Sequence, residues 1–341
     1  MITLRRFSWL SCWLLLACGG ERDDATLRFF LRGNLQLRQR EYREAIRFFT
    51  EAIEKDPDYA DAYNNRGVAW YNLNQYKNAL DDYNQALRID PAHTDAYYNR
   101  SNAFAKLGNL KASLDDLNKV TKVYADSAYV FVSRAMVKVQ MNSYAGAAED
   151  FNRALQLSPN NVEAYVNRGY LQYSLKKYAL AEQDFRRALL LDSLQDFAFN
   201  NLGLLKARKK EYATALQLLN RAIGLNPRQP YYLNNRGFVK MQLGQLEEGR
   251  ADVEQSLRLD DQNGWAYRNR GIYHLQREEY QAALADLVRS AQLTDNVELI
   301  HYYLGTAYAA TGDQAKACQE WTFSVALGEE EAKGPLEERC R

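Results

Sequence analysis

The sequence has little of what metal sites, nucleic-acid surfaces and catalytic centres require. Its 341 residues include only three histidines, and 44 lysines and arginines nearly balance 43 aspartates and glutamates. This balance argues against a nucleic-acid-binding surface, which needs a strong basic excess. The HExxH, GxSxG and P-loop motifs are absent, and no long loop is available to hold a catalytic site. We therefore expect neither an enzyme nor a bound metal or cofactor.

Prolines are also few, and four of the six are regularly placed. Pro57, Pro91, Pro159 and Pro227 are separated by 34 residues or by twice that number. Because the residue before a proline disfavours the helical conformation, each proline marks a place where a helix should end. The spacing predicts a repeated helical unit.

Long apolar runs are missing, and the longest candidate lies at the N-terminus. The run Phe7–Ala17 follows Arg5 and Arg6 and is too short to span a bilayer as a helix. A basic start followed by a short apolar run is typical of a secretory signal. The letters Leu-Leu-Ala-Cys ending at Cys18 resemble the lipobox of bacterial lipoproteins, which implies cleavage before Cys18 and its lipidation. A plain signal peptide with a chance cysteine remains the alternative.

The residues after Cys18 bear on location. We expect residues 1–17 to be the signal and 18–25 a lipidated tether. Gly19 follows the cysteine where an aspartate would signal inner-membrane retention, which favours the outer membrane. The acidic letters ERDD at 21–24 resemble the export tether of surface lipoproteins, so surface exposure stays open beside a periplasmic location.

A 34-residue period continues without insertion or deletion through residues 26–331. Position 8 of the unit is always Gly, Ser or Ala, position 20 is also always small, and position 24 is always large and apolar. Residues 332–341 remain as a short C-terminal cap. The nine units begin at residues 26, 60, 94, 128, 162, 196, 230, 264 and 298.

Small residues at positions 8 and 20, a large residue at 24 and proline at 32 resemble the tetratricopeptide repeat. The resemblance implies an all-α solenoid in which each unit is an antiparallel hairpin of helix A and helix B. The hairpins would stack as a right-handed superhelix with helix A on the concave face. Independently of the resemblance, each unit has an apolar face that it cannot bury alone, so stacking is required.

Position 7 covaries with position 23 inside the repeats. Arg at position 7 always accompanies Asp at position 23 in six internal repeats, and Leu202 accompanies Leu218 in the seventh. Both positions are equally far from a turn near position 15, so we predict an ion pair within each hairpin. The end repeats depart from this rule. The predicted pairs are Arg66 with Asp82, Arg100 with Asp116, Arg134 with Asp150, Arg168 with Asp184, Arg236 with Asp252 and Arg270 with Asp286.

Asparagine recurs at position 6, although it is a poor residue for the middle of a helix. The row resembles the asparagine ladder in the repeat domain of O-GlcNAc transferases, which implies amides that pair with the backbone of an extended peptide. The alternative is that these side chains bond to neighbouring helices. The row consists of Asn65, Asn99, Asn167, Asn201, Asn235 and Asn269, with Ser133 interrupting it.

Aromatic residues occupy other positions that the resemblance places on the groove side of helix A. With few charges among them, they favour an apolar or amide-rich ligand segment; packing between repeats is the alternative. The expected groove residues are Tyr98, Tyr129, Tyr170, Phe197, Tyr231 and Trp265, together with Tyr71, Tyr173 and Phe238. Of the histidines, His274 and His301 fall on expected core positions of helix A, where a packed histidine is the default.

Two cysteines remain beyond the signal, Cys318 and Cys340. They lie ten residues before and twelve residues after Gly328, a plausible helix stop. If the last segment returns antiparallel, the two sulfurs come opposite each other, and a disulfide would fix the cap.

The leading expectation is a lipid-anchored scaffold that binds a partner protein or extended peptide in its groove at the bacterial cell envelope. One alternative is a permanent structural subunit of an envelope assembly that uses its convex face. Another is a glycan-binding protein with an aromatic groove. Composition gives no indication of the oligomeric state.

Overall fold

Helices form nearly all of the chain described by the computed structural model, residues 23–294 and 297–340. Those residues contain no strand, and successive helices pair as antiparallel hairpins. The predicted all-α repeat fold is confirmed. The signal segment, the lipidation site Cys18 and most of the tether lie outside the described residues. Within the described ranges, no helix is both long and apolar enough to cross a bilayer.

The chain divides into two compact units, the first ending at Pro159. Helix A is the odd-numbered member of each pair and helix B the even-numbered one. In unit 1, helix A begins at the first position of repeats 2, 3 and 4, and in repeat 1 it begins two residues before that position. The helices of unit 1 are α1 Asp24–Arg38, α2 Tyr42–Lys55, α3 Ala60–Asn72, α4 Tyr76–Ile89, α5 Thr94–Lys106, α6 Leu110–Val123, α7 Ala128–Gln140 and α8 Tyr144–Leu157.

The second unit begins at Asn160 and contains repeats 5 to 9 and the C-terminal cap. Helix A again begins at the first repeat position, except that α17 begins two residues late. A 3₁₀ turn, Glu330–Ala332, precedes the last helix. The helices of unit 2 are α9 Val162–Ser174, α10 Tyr178–Leu191, α11 Asp196–Arg208, α12 Tyr212–Leu225, α13 Pro230–Gln242, α14 Leu246–Leu259, α15 Gly264–Gln276, α16 Tyr280–Leu293, α17 Ile300–Ala310, α18 Gln314–Ala326 and α19 Lys333–Arg339.

Close helix approach explains the small residues at position 8. A Cβ atom on Gly67 would lie 2.6 Å from the ring of Tyr83, the position-24 residue of the same repeat. At Gly305 the corresponding distance to the Trp321 ring is 2.5 Å. Both distances are well inside van der Waals contact. In these repeats the ring at position 24 therefore packs directly against the backbone at position 8 and fills the space that a side chain there would need.

The turn from helix A to helix B passes through a left-handed residue at position 15 in all nine repeats. Only three of these residues are glycines, for example Gly108 with φ 77°. The others include Arg40 with φ 64° and Lys176 with φ 59°. A side chain in this region is strained by roughly 1 kcal/mol, so hairpin packing must hold the turn.

Helix B of one repeat packs on helix A of the next, as α2 does on α3 and α12 on α13. Helices A of consecutive repeats also contact one another, as in α3 with α5 and α13 with α15. Within each unit, the A helices therefore form one continuous layer. We call its solvent-facing side, which carries repeat positions 2, 6 and 9, the A-helix face.

The C-terminal cap covers the last repeat. Cys318 and Cys340 are joined by a disulfide, with Cα atoms 5.6 Å apart. Beneath it, Trp321 and Ala332 are buried and Leu336 packs against them. The cap thus buries the apolar face that repeat 9 would otherwise expose, as the ends of a repeat array require.

Candidate functional site

All six predicted arginine–aspartate pairs are formed in the structure. Each guanidinium donates two parallel hydrogen bonds of 2.6 to 2.9 Å, from Nε and Nη2, to the two carboxylate oxygens. The aspartate side chains are nearly buried, at 4–12% exposure. These pairs are therefore part of the hairpin interior and are unsuited to binding a ligand.

The same arginines also connect neighbouring hairpins, which the sequence argument did not predict. Nη1 of Arg100 donates to Asn84 Oδ1 at 2.8 Å, and Asn84 lies at position 25 of the preceding repeat. Arg66 makes the equivalent bond to Thr50 and Arg236 to Asn220. Each of these arginines thus fixes the register within its hairpin and the stacking on the hairpin before it.

Burial is costly for the carboxyl of one pair, Arg66 with Asp82. The pKa of Asp82 is raised by burial of the carboxyl, although the hydrogen bond and charge of Arg66 act to lower it. At this carboxyl desolvation outweighs the attraction of the arginine, as is common for buried charges. In repeat 6, Leu202 and Leu218 occupy the same two positions and line an apolar pocket with Leu189.

The structure accounts for the two end repeats that break the rule. In repeat 1, Arg32 lies over the ring of Phe48, 5.9 Å from its centroid. In repeat 9, Glu320 pairs with His301 instead of position 7, at 2.6 Å. The expectation that His301 and His274 are packed core residues is wrong, because both are part-exposed and paired with carboxylates; His274 lies 2.6 Å from Glu279. Helix A turns these rings toward acidic side chains of helix B or of the turn before it.

The asparagine row in unit 2 is largely an interhelical hydrogen-bond chain. Asn269 donates to Asn234 Oδ1 at 2.8 Å, and Asn235 donates to Asn200 Oδ1 at 2.9 Å. A longer contact of 3.5 Å joins Asn234 to Asn235, which makes the series of bonds continuous. At its C-terminal end Arg268 donates twice to Asn269 Oδ1.

The same arrangement is present in unit 1. Asn99 donates to Asn64 Oδ1, Asn64 to Asn65 Oδ1, and Asn65 to Asn34 Oδ1, at 2.8 to 3.0 Å. Position 6 of one repeat thus bonds to position 5 of the repeat before it wherever position 5 is asparagine. Tyr98 and Ser133 make the analogous contact at 3.0 Å. The alternative of bonding between helices therefore holds at these sites, and their amides are not presented freely to a ligand.

Two asparagines lie outside this hydrogen-bond chain. Asn201 is 2% exposed and donates within its own helix to the Phe197 carbonyl, so it is unsuited to contact a ligand. Asn167 is part-exposed, and none of residues 23–294 and 297–340 hydrogen-bonds to its side chain. Of the six predicted amides, Asn167 alone keeps both its donor and its acceptor free of such partners.

Exposed aromatic side chains distinguish the A-helix face. Tyr170, Phe197 and Tyr231, from three consecutive repeats, are 36–48% exposed, and the rings of the first two are 5.8 Å apart. In unit 1, Tyr129 is 45% exposed and packs edge-on against Tyr98. These four side chains are exposed on the A-helix face, and their part in binding a ligand stays a prediction.

The remaining predicted aromatics mostly pack. Tyr71 contacts the core around Tyr83, and burial raises its pKa. Phe238 packs on the cluster around Leu219. Trp265 is part-buried beneath the Arg268 guanidinium, 5.1 Å from its ring. Helix packing therefore takes up side chains that the position pattern had assigned to a ligand.

A charged cluster on the A-helix face of unit 2 was missed, because the sequence argument expected few charges there. Arg208 Nη1 lies 2.7 Å from Glu298 Oε1, although 90 residues separate them. Arg268 Nη1 donates to the Glu298 carbonyl at 2.8 Å. Burial, with Glu298 nearby, raises the pKa of Tyr173 to about 12. One feature of the sequence could have indicated this cluster. Arg268 stands at repeat position 5, where other repeats have asparagine or a largely apolar residue.

In residues 23–294 and 297–340, no group of three or more His, Cys, Asp or Glu side chains could hold a metal ion. What the A-helix face does offer is aromatic surface, the free carboxamide of Asn167 and the guanidinium groups of Arg208 and Arg268. Such groups recognise peptide segments by stacking and by charge-assisted hydrogen bonds.

Comparison with solved structures shows the same fold. A tetratricopeptide repeat protein from Parabacteroides merdae is similar at a TM-score of 0.59 and 21% identity, over 73% of this chain and 98% of that one. A subunit of the APC/C hetero-tetramer Cut9-Hcn1 is similar at 0.64 and 15%, over 93% of this chain and 76% of that one. No curated protein matches the sequence.

Family profiles cover most of the repeats. Tetratricopeptide repeat profiles match residues 30–94, 72–128, 162–193, 198–229 and 234–298. A further TPR repeat profile matches residues 135–176. Together with the nine helical hairpins and their stacking, these matches show that the chain belongs to the tetratricopeptide repeat family.

Proposed function

We propose that this protein is a lipid-anchored adaptor of the bacterial cell envelope that binds a partner protein through its A-helix face. The tetratricopeptide repeat fold is a scaffold for protein–protein interaction, and proteins of this family bind proteins or peptides. The observation that carries the proposal is the exposed aromatic row of Tyr170, Phe197 and Tyr231. Aromatic side chains are enriched at protein interfaces, and exposing three of them in one row is costly without a partner.

The binding mode that fits this face is an extended segment lying across consecutive A helices. Phe197 and Tyr231 lie at repeat position 2 and Tyr170 lies at position 9 of the repeat before them, so the row offers one ring per repeat to successive apolar side chains of such a segment. Asn167 can pair with one backbone amide through its donor and acceptor. The other asparagines contribute by fixing the spacing between the A helices.

A pull-down from envelope fractions with crosslinking tests the binding face. The variant Tyr170→Ser, Phe197→Ser, Tyr231→Ser removes the aromatic row. A matched variant changes three exposed leucines on helix B or its end in the same unit, Leu180→Ser, Leu190→Ser and Leu225→Ser. We expect partners to be lost with the first variant and kept with the second. Loss only with the leucine variant would support a structural subunit that docks through its B helices.

The lipid anchor and location are supported by the N-terminal letters alone: basic residues, a short apolar run and Leu-Leu-Ala-Cys18. Two or three acyl groups hold a protein firmly on a membrane, whereas a single one binds only marginally. We expect wild type to incorporate a clickable palmitate analogue and to fractionate with the outer membrane. Cys18→Ser should abolish labelling, and labelling that persists in this variant would refute the assignment of Cys18.

A further inference from the structure

A row of leucines lies open to solvent on the first helix, α1. Leu27, Leu31 and Leu35 follow one another at intervals of four residues, which places them on one side of the helix. They are 43%, 56% and 51% exposed, and we call them the leucine stripe. The buried residues of α1, Thr26 and Gly33, lie on its other side. Three exposed leucines in one row indicate a surface that something covers.

The other repeats show what covers the equivalent surface inside the array. Leu35 stands at repeat position 10, and Val239 at the same position of repeat 7 packs with Ala215 and Leu219 of the hairpin before it. Leu35 has no such neighbour within the described residues, so its apolar surface is left open. The position-10 residues of the other eight repeats are only 0–5% exposed: Ala69, Ala103, Val137, Leu171, Leu205, Val239, Tyr273 and Ala307.

Arg28 indicates that this end is not shaped to receive a further hairpin. It is exposed and stands at repeat position 3, where the other eight repeats have an apolar residue that is 0–4% exposed. A hairpin stacked on α1 would bury this guanidinium, which is unfavourable without a partner anion. A second copy of the chain, stacked as a further repeat would be, is disfavoured for the same reason. The other position-3 residues are Ala62, Ala96, Val130, Ala164, Ala198, Tyr232, Ala266 and Ile300.

Exposed arginines lie around the leucine stripe. Arg28, Arg32 and Arg38 are exposed on α1, against one acidic residue of this helix, Asp24 in its first turn. Arg28 donates to the backbone carbonyl of Asp24, and none of the three arginines pairs with a carboxylate in residues 23–294 and 297–340. A helix with leucines on one face and arginines beside them is typical of segments that lie in the surface of a bilayer.

The proposed lipid anchor is close to this helix in sequence. Cys18 precedes Asp23 by five residues, and a chain of this length spans at most about 18 Å when fully extended. Acyl groups on Cys18 would therefore hold the start of α1 near the membrane surface. A helix in this place can bury leucines among the lipid headgroups while its long arginine side chains reach the phosphates.

We propose that α1 is a lipid-binding surface. Its leucine stripe enters the headgroup region of a phospholipid bilayer, and the arginines around the stripe bind lipid phosphates. Acyl groups alone hold the chain at the membrane, whereas contact through α1 also fixes which side of repeat 1 meets it. This inference rests on the proposed function, since it specifies how the chain anchored at Cys18 lies on the lipid.

A fluorescent probe in the leucine stripe tests this contact in the full lipidated protein. Leu31→Cys is labelled with the dye NBD and reconstituted in vesicles of phosphatidylcholine and phosphatidylglycerol. We expect lipids with a quencher on the acyl chain to lower its emission about twofold. Glu54→Cys, at an exposed site on α2 of the same hairpin, is the matched control and should be quenched little. Equal quenching at the two sites, or none at residue 31, would overturn the proposal.

The same probe distinguishes lipid from a second copy of the chain. If another copy covers the leucine stripe, the emission at residue 31 shifts to shorter wavelength without quenching by the lipid, and this result would also overturn the proposal. Both labelled variants should keep the melting temperature of wild type, since each changes an exposed side chain.

A further variant tests the arginines. Arg28→Gln, Arg32→Gln and Arg38→Gln are combined in the Leu31→Cys protein and measured in the same vesicles. We expect the quenching at residue 31 to fall about twofold, because basic side chains near an anionic surface strengthen binding. Unchanged quenching would refute the part assigned to the arginines.

The anchor and the lipid-binding surface fail separately. Palmitate labelling that depends on Cys18, together with no quenching at residue 31, would retain the anchor and reject the surface. Wild type treated with the dye gives the baseline for any reaction at Cys18 itself. Quenching in Leu31→Cys above this baseline, in a protein that takes up no palmitate, would retain the surface and reject the anchor.

Discussion

Arg100 and Asp116 lie 16 residues apart and meet through two parallel hydrogen bonds of 2.7 and 2.8 Å. The arginine donates a third bond to Asn84 of the preceding hairpin. One guanidinium thus joins three helices, and its partner is nearly buried. The equivalent positions in repeat 6 are Leu202 and Leu218, which shows that an apolar pair can replace the ion pair in this protein.

Breaking this pair on one side should be costly. We expect Arg100→Leu alone to lower the free energy of unfolding by about 3 kcal/mol, because it leaves the Asp116 carboxylate buried without its cation. Arg100→Leu with Asp116→Leu should recover most of that loss. Urea unfolding of the single and double variants measures the coupling. A double variant no more stable than the single one would contradict the pairing.

The bonded asparagines should contribute stability, and the free one should not. Asn234→Ala removes the acceptor of Asn269 and the donor to Asn235, so we expect a loss of about 1–3 kcal/mol. Asn167→Ala, the matched control, should change stability by less than about 0.5 kcal/mol. Amide hydrogen exchange across α13 and α15 reports the first loss. Equal effects of the two substitutions would mean that the hydrogen bonds between these asparagines contribute no stability.

The disulfide should stabilise the C-terminal end of unit 2. Cys318 and Cys340 close a loop of 22 residues, worth about 3 kcal/mol in the chain-entropy account. Reduction should therefore expose Trp321 and shift its fluorescence at a lower urea concentration. Cys340→Ser should unfold at that lower concentration with or without reductant. Sensitivity to reductant that persists in Cys340→Ser would have to arise elsewhere.

Glu182 should make stability depend on pH in the acid range. Hydrogen bonds from Lys209 and Arg186 lower its pKa from 4.5 to about 2. A lowered pKa in the folded state adds stability above pH 4.5, and this stability is lost as the pH falls through about 2. We expect Glu182→Gln to be about 1 kcal/mol less stable at pH 7.

The difference between wild type and Glu182→Gln should shrink steadily below pH 4.5 and with added salt. Glu163→Gln, on the exposed side of α9, serves as the control. We expect it to change the free energy of unfolding little at pH 7 and at pH 3. A gap that is constant from pH 7 to pH 3 would show that the charge of Glu182 is not its cause.

The left-handed turn residues offer a test of backbone strain. Arg40→Gly relieves a φ of 64°, whereas Gln39→Gly acts on a helical residue with φ −77°. Glycine costs conformational entropy at both places but removes strain only at residue 40. We expect the Arg40 variant to be more stable than the Gln39 variant by about 1 kcal/mol, measured by the melting of unit 1. The reverse order would argue against strain at this turn.

Periodicity by itself determined the hairpins, the small-to-large contact between positions 8 and 24, and the arginine–aspartate pairing. These features recur along the array because each hairpin buries the same faces, so comparing the repeats with one another reveals them. The Cys318–Cys340 bridge was also deducible, since its two residues are near in sequence and belong to one local element.

Tertiary structure alone decided how the polar side chains are shared. Asn65 was expected to face a ligand, yet its amide donates to Asn34 of the preceding hairpin, which comes within reach only after stacking. The left-handed turn at position 15 has no constant residue and is imposed by packing. Glu298 and Arg208 are 90 residues apart, and only the curvature of unit 2 brings them together. Contacts between repeats depend on that curvature, which a one-dimensional pattern does not contain.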